Sequence, residues 1–290
     1  MDWPWAMQVR GLLAFVAIFM FTGCSSLFFH PTDTVYRTPS HYDLKYQDVY
    51  FKSKDSTSLH AWHIFPQEES KGLVFVAHGN AQNLSSHFVS WVWLLKEGYE
   101  IFIFDYREYG KSEGKSSIVG SIEDTRAALD YVESVYDSPY VAVGQSLGGT
   151  MLLNALDQRD NTRIKSIVID STFTGFSDIA STKMNDVWLT WPFQWIPYLS
   201  LSSQYDAKDR ITKVSKPLLF LHGSLDMIIP VNESWKLFEL SSLPREFWIV
   251  KEAGHIQALD NTNVRKEFLQ FLQSDEEYYD VNYSRMKIYE

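Results

Sequence analysis

The chain has 290 residues, enough for one large domain or two small ones, and its 45% apolar and 21% charged residues are those of a folded globular protein. A net charge of −10, with no visible cluster of Lys and Arg to neutralise phosphates, argues against nucleic acid as a partner. A single cysteine excludes an internal disulfide framework and any Cys-based metal site.

That cysteine follows an informative segment. Arg10 precedes an uncharged apolar run from Gly11 to Thr22, too short to span a bilayer comfortably. Residues 1–23 therefore read as a signal peptide. Phe21-Thr22-Gly23-Cys24 resembles a bacterial lipobox, in which the chain is cleaved before Cys24 and the thiol acylated. An uncleaved anchor and simple secretion are the alternatives, since no charged residue stands between Arg10 and Asp33. All three place the folded part outside the cytoplasm or on a membrane surface, with a lipoprotein of the cell envelope, on the periplasmic side or at the outer membrane, as the leading expectation.

Residues 24–44 form an irregular leader expected to pack through Leu27, Phe28 and Phe29. Lys45 to Phe51 and Leu59 to Phe65 read as strands of an antiparallel hairpin around the polar turn Lys52 to Ser58. From Gly72 onward, short apolar runs alternate with helix-length amphipathic stretches. The runs are Leu73–Ala77, Ile101–Phe104, Tyr140–Val143, Ser166–Ile169, Leu218–Leu221 and Phe247–Val250. Such continuous runs suit a parallel sheet covered on both faces by helices, an α/β architecture. Helical spacing marks Ile118–Val135, Leu147–Leu156 and Asn263–Leu272. Between Ile169 and Pro217 the rhythm breaks, and an aromatic-rich insertion, about 171–213, reads as a cap over a core domain of residues 45–273. The acidic tail 274–290 carries no clear fold signal.

Gly144-Gln145-Ser146-Leu147-Gly148 stands between a predicted strand and a predicted helix. A turn that tight needs glycines around Ser146, and it lifts the hydroxyl over the N-terminus of a helix, where negative charge is favoured. A serine becomes a nucleophile only beside a base, and the base needs an orienting carboxylate. Two later strands end at Asp226 and His255, on the edge where open α/β sheets build their sites. His255 is the expected base and Asp226 the expected acid, with Asp170 the runner-up because it also ends a strand. His222 and His78, before glycines at strand ends, are expected to organise loops. Main-chain N–H groups of Asn80, after the first parallel strand, and of Leu147, after the nucleophile, are the candidate oxyanion hole.

These segments together resemble the α/β-hydrolases over Tyr46 to Leu272. The likeness is to serine esterase and aminopeptidase-like hydrolases that carry His78-Gly79-Asn80-Ala81 after their third strand. Phe104-Asp105-Tyr106-Arg107-Glu108-Tyr109-Gly110-Lys111-Ser112, the serine elbow, His222-Gly223-Ser224-Leu225-Asp226 with Pro230, and Ala253-Gly254-His255 complete it. Glu108 replaces a usual glycine, and Gln82 departs from the commoner residue. Serine at the elbow sets the chain apart from haloalkane dehalogenases and epoxide hydrolases, which use a carboxylate there. The resemblance implies an acyl-enzyme on Ser146, no cofactor, no metal, and an ester or similar acyl bond as substrate. A carboxylesterase or lipase-like enzyme is expected first. A peptidase, an acyltransferase using the same three residues and a non-catalytic binding protein are the alternatives. Trp188, Trp191 and Trp195, with Phe193 and Tyr198, are expected to line an acyl pocket, dip into lipid, or merely pack the cap.

Overall fold

The computed structural model describes residues 28–185, 193–274 and 283–290. Nine strands form one sheet: β1 Lys45–Lys52, β2 Ser58–Phe65, β3 Gly72–Ala77, β4 Tyr99–Phe104, β5 Tyr140–Gln145, β6 Ile164–Asp170, β7 Leu218–Gly223, β8 Arg245–Val250 and β9 Ser284–Tyr289. Their spatial order is β1-β2-β4-β3-β5-β6-β7-β8-β9. The hairpin β1–β2 joins antiparallel to β4, and every pairing from β4 to β9 is parallel. Because each parallel strand must return through a crossover, all their C-terminal ends open on one edge.

The helices are α1 Leu84–His87, α2 Trp93–Lys96, α3 Ile118–Val135, α4 Leu147–Ala155, α5 Phe176–Asn185, α6 Ile196–Ser200, α7 Ala207–Ile211, α8 Val231–Leu240 and α9 Thr262–Gln273. Side chains alternate through the strands into two cores. One face is dominated by rings, with Phe75, Phe102, Phe104, Phe220 and Phe247 packed against α3, α4 and α8. The other carries Val74, Val76, Ile101, Ile103, Val143 and Leu221 against Trp91 and α9. Five fully buried phenylalanines are together worth on the order of 10 kcal/mol of transfer free energy. That is several times the 1–3 kcal/mol or so that one strained backbone residue costs, so the sheet can hold a strained turn at its edge.

The strands outrun the apolar runs by one or two residues at the site edge. Gln145, Asp170 and His222 are polar yet stay in the ladder, because each finds buried hydrogen-bond partners there. The tail supplies the larger surprise. Ser284–Tyr289 pairs in parallel with β8, and Trp248 packs edge-on against Tyr289. Its half-exposed edge-strand pattern has no continuous apolar run to announce it. The segment 1–27 with Cys24 lies outside the described residues, as do Trp188 and Trp191. Among the described residues, no helix is long and apolar enough to cross a membrane.

Candidate active site

Ser146 follows β5 directly and takes φ 53°, ψ −118°, a conformation that L-residues rarely adopt. Its backbone is pinned on both sides: its N–H donates to Asp170 O at 2.8 Å, and its carbonyl accepts from Gly149 N at 3.0 Å and Thr172 Oγ1 at 3.1 Å. Gly148 shows why the sequence must be bare there. A Cβ on it would stand 2.0 Å from Ala77 O, so α4 can lie against β3 only without one.

Asp226 lies in the loop after β7 and His255 in the loop after β8. His255 Nδ1 meets Asp226 Oδ2 at 2.7 Å, while Oδ1 accepts the N–H groups of Ile228 and Ile229, both at 2.8 Å. The Asp226 side chain is fully buried. Burial alone pushes its carboxyl up; hydrogen bonds from His222 and His255, the charge of His255 and the Ile229 N–H outweigh that and bring it well below the usual carboxylate range. The acid therefore stays ionised, and with Nδ1 committed, Nε2 is the nitrogen of His255 left to face a nucleophile. Gly223 makes the approach of the two loops possible, since a Cβ would meet Ala253 O and Gly254 O at 2.3 Å. Asp170, the alternative acid, spends its oxygens on Gln145 Nε2 and Ser171 Oγ, and burial pushes its carboxyl up.

The loop after β3, where the oxyanion hole is expected, is set by a buried histidine. His78 Nδ1 bonds Gly79 O at 2.7 Å, and Nε2 lies 3.3 Å from Asp105 Oδ1. In a trans peptide the C=O and the following N–H point opposite ways, so fixing the Gly79 carbonyl inward turns the Asn80 N–H outward, toward the cavity. The Asn80 side chain is occupied elsewhere, with Oδ1 accepting from His30 N, Ala81 N and Tyr109 Oη. Among the described residues, neither Asn80 N–H nor Leu147 N–H reaches a protein acceptor. Asn80, Ser146 and Leu147 all line one cavity of about 560 Å³. Its volume falls in the range of roughly 300–1,000 Å³ that small-molecule sites occupy.

The remaining cavity wall is apolar. Phe173 and Ile179 come from β6 and α5, Ile196, Pro197 and Leu201 from around α6, and Ile228 and Ile229 from the acid loop. Among the described residues, Lys183 is the one charged residue in the lining, and its Nζ donates to Met227 O at 2.9 Å, joining α5 to the acid loop.

Residues 72–200 match a family model described as the alpha/beta hydrolase fold. Protein YfhR of Escherichia coli K12 is 32% identical over 86% of this chain and 87% of its own. The alpha/beta hydrolase domain-containing protein WAV2 of Arabidopsis thaliana is 31% identical over 67% of this chain and 66% of its own. The chain belongs to the α/β-hydrolase superfamily. Among solved structures, an esterase of Pyrococcus furiosus superposes on this α/β-hydrolase with a TM-score of 0.67 at 24% identity, over 84% of this chain and 100% of its own. An esterase from Exiguobacterium antarcticum does so with 0.60 at 18%, over 79% and 100%. At these identities the likeness is one of fold.

Against that superfamily pattern, the two departures lie in the loops after β3 and β4. Glu108 holds φ 71° where a glycine would be relaxed, and its carboxylate accepts from Lys115 Nζ at 2.5 Å and Ser116 N at 2.8 Å. Gln82, at φ 57°, offers its carbonyl to Thr32 N of the leader. Neither lines the cavity.

Three features of this α/β-hydrolase escape sequence reasoning. Trp195, expected in the pocket, is 55% exposed and does not line it; the adjacent Ile196 and Pro197 do, because successive residues entering a helix point about 100° apart. Phe28 of the leader lines the cavity and packs edge-on against Phe176, at 5.0 Å between ring centroids. His222 Nε2 sits between Ile229 O at 2.9 Å and Asp226 Oδ2 at 3.3 Å, a second hydrogen-bond contact to Asp226, and its other nitrogen meets Ser234 Oγ at 2.8 Å. Ser234 Oγ then reaches Thr172 O, and Thr172 Oγ1 reaches Ser146 O, so a buried chain of bonds links acid to elbow. The four-residue spacing of His222 and Asp226 around one glycine was the only sequence signal for it.

Proposed function

We propose that this protein is a serine hydrolase that cleaves carboxylic esters of apolar acyl groups, acting as a membrane-anchored enzyme of the bacterial cell envelope. Ser146 Oγ attacks the ester carbonyl while His255 Nε2 takes its proton. The oxyanion that forms accepts from the Asn80 and Leu147 N–H groups. Collapse breaks the bond to the leaving alcohol, which receives the proton from His255 and departs, leaving an acyl group on Ser146. Water then attacks that carbonyl, gives its proton to His255, and the carboxylic acid leaves as Ser146 recovers the proton.

The observation that carries this reading is a strained Ser146 that lines an apolar cavity with Asn80 and Leu147, on the sheet edge where Asp226 and His255 pair at 2.7 Å. The same cavity disfavours an aminopeptidase, whose substrate brings an ammonium group. Among the described residues, its lining offers that cation no carboxylate and includes Lys183. Anchoring rests on the apolar segment before Cys24 and on acylation of that thiol.

Two experiments test the proposal. A serine-reactive fluorophosphonate should label the wild-type chain and leave Ser146→Ala unlabelled; labelling that survives in the variant refutes the nucleophile. Nitrophenyl esters of increasing chain length should be turned over with kcat/KM rising into the medium or long range, and a preference confined to acetate would refute the apolar acyl class.

A further inference from the structure

The apolar groups around the cavity mouth are not all inside it. Leu225, Met227 and Ile228 form one lip, in the acid loop, and Met227 is 86% exposed. Phe193 and Trp195, just before α6, and Leu199, within it, form the other, with Leu199 79% exposed. Ile228 continues from the lip into the lining, as do Ile196 and Pro197 from the opposite side. The Lys183–Met227 bond ties the first lip to α5, and bonds from Ser177 Oγ to Pro197 O and from Tyr198 Oη to Asp178 Oδ1 tie α5 to α6, so the two lips are held through one helix. Single exposed apolar residues need no explanation, but a cluster ringing a cavity marks a surface meant to be covered.

The leader says what covers it. Phe28 stands in the cavity wall, Phe29 is buried, and the His30 N–H holds the Asn80 side chain. Thr32 continues onto the oxyanion loop through Gln82 O, and Asn83 Nδ2 returns to Thr32 O and Thr34 O. The chain therefore enters the fold at the mouth itself. Cys24 lies four residues earlier, at most about 14 Å away along an extended backbone. The apolar run Gly11 to Thr22 lies just before that. Whether the membrane holds the chain through an acylated Cys24 or through the apolar run, only a few residues of chain separate that attachment from Phe28 in the cavity wall.

We infer that the lips of the cavity rest on the surface of a lipid bilayer, the leader being the short strap that holds them there, and that the ester substrate is drawn from the membrane. This rests on the hydrolase reading for its substrate, but not for the docking. A short tether makes docking effectively intramolecular, so a small apolar contact suffices. With a net charge of −10 the protein has no general attraction to anionic headgroups, and the contact is apolar and insensitive to salt.

The test uses the full chain in phosphatidylcholine vesicles that carry a long-chain fluorogenic ester. A double variant, Leu199→Asp with Met227→Asp, should lose roughly tenfold or more of the vesicle-borne turnover, since each lip side chain forfeits its apolar transfer. Turnover of a soluble short-chain ester should stay within about twofold, because neither residue lines the cavity. Unchanged vesicle turnover, or an equal loss on both substrates, overturns the inference. Docking is read separately from catalysis by an environment-sensitive fluorophore on Met227→Cys, with Glu68→Cys, at the opposite edge of the sheet, as control; Cys24 is common to both. A blue shift at 227 and none at 68, unchanged at high salt, supports the bilayer contact even if no ester were cleaved. No shift at 227, or the same shift without vesicles as protein concentration rises, refutes it, the latter in favour of a second copy of the chain.

Discussion

The floor of the cavity and its mouth are built on different physical terms. On the floor, polar groups fix one another: Asp226 meets His255 and the N–H groups of Ile228 and Ile229, the Ser146 backbone is bonded on both sides, and His78 orients a peptide plane. Backbone approaches backbone so closely there that a single added methyl would collide. At the mouth the residues are large, apolar and half-exposed or more, and their identities matter as surface area. A floor of this kind fixes atoms to fractions of an ångström, which acyl transfer requires, whereas a mouth of this kind fixes only a class of partner.

Substitutions on the floor should therefore be severe and specific, and those at the mouth mild except on membrane-borne substrate. The largest effect is expected from Ser146→Gly. Loss of the nucleophile should lower kcat by at least about 10⁴-fold, while relief of the φ 53° strain should raise stability by about 1 kcal/mol. Turnover and a thermal melt measure the two, and a simultaneous loss of both would deny the strained elbow.

Next comes Gly148→Ala. Its methyl would fall 2.0 Å from Ala77 O and 2.5 Å from His78 O, both backbone atoms that cannot step aside. A destabilisation on the order of 3 kcal/mol is expected in urea unfolding. A variant as stable as the parent would mean that α4 does not lie against β3 as described.

His222→Ala removes one donor from Asp226 and breaks the chain to Ser234. As a positioning residue it should cost about 10- to 100-fold in kcat with KM little changed. The acidic limb of the pH–rate profile should shift as well, because Asp226 loses a group that holds its carboxyl down. Loss through KM alone would make His222 merely structural.

The mildest effect is a slope. His87 stacks on His78 at 4.9 Å between ring centroids, and its Nε2 faces Ala81 O. Burial first, then repulsion from His78 and weakly from His255, push its imidazole down to about 3, against the pull of Ala81 O and Asp105. Between about pH 3 and the ordinary 6.5 the unfolded chain binds a proton there that the folded chain refuses. Stability must then fall as pH drops through that window. Melting temperature against pH should decline less steeply in His87→Gln, and equal slopes would place the acid sensitivity elsewhere.

Chain order and local pattern made much of the floor legible. The apolar runs became β3 to β8, Ile118–Val135 became α3, and the strand–turn–helix around Ser146 took the expected form. These follow from periodicity and steric limits acting over a few neighbouring residues. Asp226 and His255 each follow a strand of one parallel sheet, so they open on the same edge as Ser146, and the structure then brings them within 2.7 Å of each other. Trp195 faces outward and aliphatic residues line the wall instead, because which side of a helix faces a cavity depends on what packs behind it.

By itself, then, the sequence determined the alternation of strand and helix, the strained serine and the edge on which a site would open, since each is a consequence of short-range sterics and hydrophobic period. Only the tertiary structure decided that a tail strand closes the sheet, that His222 shares the acid with His255, and that the leader returns to line the cavity and pin the oxyanion loop. Those contacts join segments as far apart in the chain as Phe28 and Phe176, through groups whose partners no local pattern names. A buried donor is satisfied by whatever acceptor the fold brings within 3 Å or so, and that is a property of the packed chain alone.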